Sequence, residues 1–390
     1  MSRRQYWDRR SFIKTGLCGM ACFAIPPLLL RSSGYSPLGN SFSETTITDV
    51  IRKETLFAGI RKPIKERKEL LPRIEALKKA CGDKASGPLT HIFRFDTPVD
   101  GFDSEIGFPV TAEVNTGEIK THKLRRMYFY SSLHEGSLKK LSETSNNLYR
   151  YMSRTGLSPE LELVEIYDNY NPDNTVSQKI QVMAAFLPWP EVYRDQMERV
   201  IGKDAAASIW RGGEKITPHT LVDERCTWVA QTINRLKEHT DTEQQFDILS
   251  RVALIRPMED VLKYKKLYDE TGDIHTIFKA QEEQLKKTPT GGFVDPPSYD
   301  GKILHVSKVP YNKENYMKAT SHKEKRKAYC FCNLVREASD PQIDPIFCYR
   351  AAGWARQFWE PILEVEFKNC LITHSILKGD GFCAWDYYLE

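Results

Sequence analysis

Leu124-Arg125-Arg126-Met127-Tyr128-Phe129-Tyr130-Ser131 and Leu161-Glu162-Leu163-Val164-Glu165-Ile166-Tyr167 decide how this chain folds. Both are rich in aromatic and branched side chains and alternate along their length, as half-buried β-strands do. Residues 136–152 between them carry Leu138, Leu141, Leu148 and Met152 on one stripe, the spacing of a helix with a single apolar face. Gly156-Leu157-Ser158-Pro159 stops that helix. A turn-rich stretch over 169–174 leads into another strand over 180–186. The unit is strand, helix, strand, strand.

The same order precedes it. Residues 47–59 read as a strand. Residues 61–80 read as a helix, with Leu70, Leu71, Ile74 and Leu77 at three- and four-residue steps. Gly82 and Ser86-Gly87-Pro88 end it, and strands over 89–95 and 107–114 follow. Two such units pair into one curved sheet with both helices on one face, which leaves a concave face for a ligand.

Period two puts Leu163, Glu165 and Tyr167 on one face of their strand, and Tyr128 with Tyr130 on one face of theirs. With the tyrosines turned to the concavity, Glu165 sits among aromatic rings. A carboxylate there is costly unless a cation or a hydrogen bond offsets it. Glu165, Tyr167, Tyr128 and Tyr130 are the candidate ligand-binding residues. The alternative is a surface glutamate on an edge strand.

These residues give the region over 46–190 a family likeness. Phe57-Ala58-Gly59-Ile60-Arg61, Glu105-Ile106-Gly107-Phe108-Pro109-Val110, His134-Glu135-Gly136, Glu165-Ile166-Tyr167 and Ile180-Gln181-Val182 occur in the order and spacing of a GyrI-like effector-binding domain. The resemblance implies a duplicated β-α-β-β module of SHS2 type that binds small cationic or aromatic molecules. It also implies that the acid of the Glu-x-Tyr strand, here Glu165, faces the pocket. Lys179 stands where many such domains carry a second acid, and its side chain is a candidate to neutralise Glu165. No helix-turn-helix segment accompanies the module.

Near its N-terminus the chain reads Asp8-Arg9-Arg10-Ser11-Phe12-Ile13-Lys14, followed by an apolar run over 16–30 that Pro26 and Pro27 interrupt. Arg9 and Arg10 in this setting resemble a twin-arginine export signal, a receptor-read address. The run is shorter than the roughly 20 residues of a spanning helix. Residues 1–35 are therefore expected to be a signal read by the twin-arginine translocase, and the protein to work in the periplasm or at the outside of the cell envelope. That route carries folded proteins, often with a cofactor installed. The alternative is an amphipathic first helix.

Residues 191–390 form the remaining expected domain. The stretch over 192–287 reads as helical, and 303–309 as a strand. Nine cysteines occur in the chain, and five of them fall between Cys330 and Cys383. Cys330-Phe331-Cys332 on a strand turns both thiols to one face, which suits a single metal ion. Disulfides such as Cys348 with Cys383, a nucleophilic cysteine with His374 as its base, and buried inert thiols remain open beside it. His91 and the other scattered histidines read as surface or loop residues.

Cys330-x-Cys332, Phe347-Cys348 ahead of Gly353-Trp354, and Ser375-x3-Gly379-Asp380-x2-Cys383 resemble the V4R-type fold and its relatives that are similar to L-2-amino-thiazoline-4-carboxylate hydrolase. That likeness implies zinc or another transition metal on Cys348 and Cys383, and a homodimer; the family's other ligands have no clean counterpart, and Cys330, Cys332 and His374 are the candidates to replace them. The whole is α+β: a GyrI-like module, then a mixed helical and β domain. The expected function is an exported small-molecule-binding protein with a metal-holding domain. The alternative is a hydrolase of a small-ring amide or thiazoline that uses the C-terminal cysteines.

Composition narrows the field further. A net charge of +4 on 390 residues, without a basic stripe interleaved with aromatics, gives no reason to expect a nucleic-acid partner. Gly212-Gly213 and Gly291-Gly292 lack the Lys-Ser/Thr of a phosphate loop and read as turns.

Overall fold

The computed structural model describes residues 46–94, 102–173, 175–254, 256, 258–287 and 297–389. The signal residues Arg9 and Arg10 lie outside them. The chain divides into two compact units: Met1–Tyr151 with Pro159–Phe186, and Met152–Ser158 with Leu187–Glu390. No described helix is long and apolar enough to cross a membrane.

The first unit is built on eight strands: β1 (Thr48–Arg52), β2 (Thr55–Arg61), β3 (Leu89–Arg94), β4 (Asp103–Pro109), β5 (Lys120–Leu124), β6 (Met127–Ser137), β7 (Pro159–Tyr167) and β8 (Ser177–Phe186). They form one sheet in the order β1-β6-β8-β7-β3-β4-β2-β5, and every pair is antiparallel. Helix α1 (Leu70–Cys81) follows β2, and α2 (Leu141–Thr155) follows β6.

The stretch read as one strand over 47–59 is two strands. Lys53 and Glu54 separate β1 from β2, which lie six places apart in the sheet. The helix expected from residue 61 starts at Leu70; before it, Ile64 makes an isolated bridge to Phe102.

That break reveals the curvature. Six strand spacings of a flat sheet cover about 29 Å. Three residue steps, from Arg52 to Thr55, reach at most about 11 Å. The sheet must therefore curl until β1 approaches β2, and the two-residue link from β5 to β6 demands the same. Cross-strand pairing assigns the faces. Phe57, Ile92, Leu124, Met127, Phe129, Val164, Met183 and Ala185, from strands at both ends of the sheet, touch one another as a single buried cluster. Theirs is the concave face. The opposite face carries the helices: α1 packs on β2 and β4, Thr144 of α2 bonds His134, and Tyr151 meets the ring of Tyr130.

The second unit contains helices α3 (Trp189–Ile201), α4 (Lys203–Trp210), α5 (Val222–His239), α6 (Thr242–Ser250), α7 (Met258–Thr271), α8 (Ile274–Lys287), α9 (Lys313–Lys318), α10 (His322–Tyr329), α11 (Asn333–Glu337) and α12 (Tyr349–Leu363). Strands β9 (Ser298–Tyr299), β10 (Ile303–Lys308), β11 (Cys370–His374) and β12 (Cys383–Tyr388) form an antiparallel sheet in the order β11-β12-β10-β9. Helix α12 is central, with Ala352, Ala355, Phe358, Trp359 and Ile362 buried. Gly353 is obligatory on it, because a Cβ there would stand 1.8 Å from the Ser250 carbonyl oxygen of α6.

Candidate functional site

Glu165, Tyr167, Tyr128 and Tyr130 lie on one face of the sheet, as the alternation requires. It is the helix-bearing face. Glu165, Tyr167 and Tyr130 are fully buried, so they line no open hollow. The cation facing Glu165 is the chain's own Arg67, which donates from Nη1 and Nη2 to the two carboxylate oxygens at 2.6 Å each. Arg67 also donates to the Tyr167 hydroxyl, which itself donates to Glu165. Burial by itself would raise the carboxyl, but the guanidinium outweighs it and holds Glu165 well below the usual carboxylate range. Lys179 takes no part, because it pairs with Glu135 on the surface at 2.9 Å.

Tyr130 stacks on Phe186 with ring centres 4.5 Å apart, and Tyr128 lies under the Arg126 guanidinium. His91, expected at the surface, is fully buried in β3, with Nε2 2.7 Å from the Ser104 hydroxyl and Nδ1 3.6 Å from Glu165. Burial lowers its pKa.

The concave face carries a different polar set. Five ionisable side chains from five strands form a line across it. Arg52 Nη1 lies 3.1 Å from Glu162, and Arg94 Nε lies 4.0 Å from the other Glu162 oxygen. Arg94 Nη1 lies 2.6 Å from Glu105, whose second oxygen meets His122 Nε2 at 2.6 Å. Arg52 reaching Glu162 from β1 to β7 is itself a consequence of the curl.

Glu105 lies across β2 because Gly59 has no side chain; a Cβ there would be 2.7 Å from the carboxylate. Burial would raise Glu105, but His122 and Arg94 hold it below its ordinary value. The hydrogen bond to Glu105 raises His122, whose side chain is 41 % exposed and stands at the rim. Arg52 Nη2 is buried without a hydrogen-bond partner among the described residues, which is an unsatisfied donor beside an apolar floor. Phe57, Phe129, Met127 and Met183 are buried against one another on this face, and donors and acceptors of both charges edge them.

In the second unit, Cys330, Cys332, Cys348 and Cys383 gather around Lys308. Each thiol acts electrostatically on its amine, and Cys330 feels the other three. They come from three settings. Cys330 and Cys332 flank the link from α10 to α11, which is not a strand; Cys348 precedes α12; Cys383 opens β12 opposite Lys308.

Arg350 Nη1 donates to Cys332 Sγ at 3.5 Å, and the Ile376 amide donates to Cys383 Sγ at 3.5 Å. Cys348 Sγ lies 3.4 Å from the Ser375 hydroxyl. Burial pushes Cys348 up to about 12 and raises Cys330 and Cys383. The seven described cysteines are free thiols. Among the described residues no three His, Cys, Asp or Glu are placed to hold a metal ion. His374 is exposed and stacks on Phe382 at 4.3 Å.

The sequence pointed to the thiols but not to Lys308, which carries no motif. Glu105 stood in a quoted string without a role.

No family model matches the chain, and no curated protein matches it. Among solved structures, the C-terminal domain of EcmrR is similar with a TM-score of 0.31 and 12% identity, over 36% of this chain and 96% of that domain. The chain spans 57% of the length of EcmrR in its DNA complex. SAV2435 bound to tetraphenylphosphonium is similar with a TM-score of 0.27 and 10% identity, over 37% of this chain and 96% of that one. A hydrolase from Listeria innocua is similar with a TM-score of 0.28 and 12% identity, over 36% of this chain and 91% of its own.

Proposed function

We propose that the first unit binds a small amphipathic molecule on the concave face of its sheet. The supporting observation is the line of Arg52, Glu162, Arg94, Glu105 and His122 beside the buried apolar cluster on the face opposite the two helices, with His122 exposed at its end. To bind there, the ligand inserts an aromatic or aliphatic body between Phe57, Phe129, Met127 and Met183, which part from one another to admit it. Its polar head exchanges contacts with the Glu105 end of the line. Tetraphenylphosphonium, the ligand of SAV2435, is a suitable first probe.

Glu105→Gln should weaken such a cation by roughly 1–3 kcal/mol in a calorimetric titration, as loss of a charge-assisted contact does. Equal affinity in the two proteins, both verified as folded by circular dichroism, rejects the assignment.

Export by the twin-arginine route belongs to the same proposal. Changing Arg9 and Arg10 together to Lys should leave the protein in the cytoplasmic fraction. An unchanged distribution contradicts it.

A second reading concerns the thiols of the second unit. Lys308 is half-buried, and burial lowers its pKa, which favours its neutral amine beside the thiols. A thiol activated by Lys308 suits hydrolysis of a small-ring amide or thiazoline. Lys308→Met should slow alkylation of these thiols by iodoacetamide and shift its pH profile. An unaltered profile removes Lys308 from the chemistry.

A further inference from the structure

In the second unit a cleft of about 550 Å³ opens where α3, α6 and α12 meet. Arg199, Arg251 and Arg356 line it together with Gln196, Ser250 and Glu360. The three guanidiniums share one carboxylate. Arg199 Nη2 and Arg251 Nε each lie 2.6 Å from Asp247, and Arg356 Nη1 lies 3.3 Å from it. Glu360 takes Arg356 Nε at 2.6 Å. Three positive charges thus face two negative ones.

The third carboxylate is of a different kind. Glu366 follows α12, and its side chain is 65 % exposed. Its Oε1 lies 3.0 Å from Arg251 Nη2 and 3.5 Å from Arg356 Nη2. One oxygen position between two guanidiniums is therefore set by the protein and filled by a loosely held side chain. Arg356 is rigid: it is 3 % exposed, donates to the Ser250 hydroxyl at 2.9 Å and lies over the Phe246 ring at 5.1 Å. An exposed ion pair of the Glu366 kind contributes little, because it is screened and costs side-chain entropy. A ligand with two or three rigid oxygens meets paired guanidiniums better than a single flexible carboxylate does.

We infer that this cleft binds the oxyanion of a small organic molecule, a phosphate ester or a carboxylate, and that Glu366 holds the oxyanion position until the ligand displaces it. The volume is that of a metabolite site, so an organic body fits beside the anion. With Glu366 displaced, the lining keeps one net positive charge, which the ligand neutralises.

The test uses the full chain and titrates inorganic phosphate, phenyl phosphate and benzoate by calorimetry. Arg356 is buried and its loss endangers folding, so the variants are Arg251→Ala and Glu366→Ala. Arg251→Ala should weaken the best ligand roughly tenfold or more, as removal of a charge-assisted contact does. Glu366→Ala should tighten it several-fold, an effect that a merely structural salt bridge does not produce. Preference for phenyl phosphate identifies a phosphate ester, and preference for benzoate identifies a carboxylate. Saturation by inorganic phosphate as tight as by phenyl phosphate overturns the organic ligand. No saturation by any of the three, wild-type affinity in Arg251→Ala, or no gain in Glu366→Ala overturns the site.

Discussion

At the scale of single residues, the molecule uses two acids of similar burial for different ends. Glu165 is clamped by Arg67 on the helix-bearing face and is a structural charge. Removing one member of a buried pair leaves the other uncompensated, so Glu165→Gln should lower stability by about 3–5 kcal/mol in urea unfolding. A loss below about 1 kcal/mol, within the range of exposed pairs, would show that the clamp is dispensable.

Glu105 faces the concave side and shares its charge with His122. Because Glu105 raises His122, the histidine's contribution is complete below its unfolded value of about 6.5 and fades as pH climbs through the raised folded value. Glu105 itself is depressed, so its contribution is present above about 4.3 and is lost as pH falls. The pair is strongest between about pH 4.5 and 6.5. Wild type should therefore lose Tm above that window, and His122→Phe should flatten that fall. An identical pH profile in both proteins contradicts the pairing.

The sequence exposed the alternation that puts Glu165 on a face with tyrosines. It did not show which face the helices take, nor that Arg67, 98 residues away in the chain, supplies the cation. Both depend on how the sheet curls.

At the scale of elements, periodicity found most strands of the first unit because each keeps an apolar face over five or more residues. It missed the break at Lys53-Glu54, since Val50-Ile51 and Leu56-Phe57 both read as strand and only their separate partners distinguish β1 from β2. That break is the most consequential feature of the sheet. In the second unit, Cys-x-Cys suggested a strand, but the segment runs between α10 and α11, where its extended backbone has no strand partner. Helix contacts there tolerate no added volume. Gly353→Ala drives a methyl group into the Ser250 carbonyl and should cost about 1–3 kcal/mol or more in thermal unfolding. A neutral substitution would mean that α12 and α6 are not as close as described.

At the scale of the whole molecule, each unit brings its own chemistry: a curled sheet with an ion-edged apolar face, and a helical unit holding thiols, a lysine and an arginine-lined cleft. The central claim is that the helix-free face of the curled sheet receives a ligand. Methionine methyl groups report on it directly, because Met127 and Met183 lie on that face while Met152 and Met197 are buried elsewhere. In a titration of [methyl-13C]methionine-labelled protein with tetraphenylphosphonium, the Met127 and Met183 resonances should move together and saturate, while those of Met152 and Met197 stay in place. Saturable shifts that spare Met127 and Met183 would contradict the account.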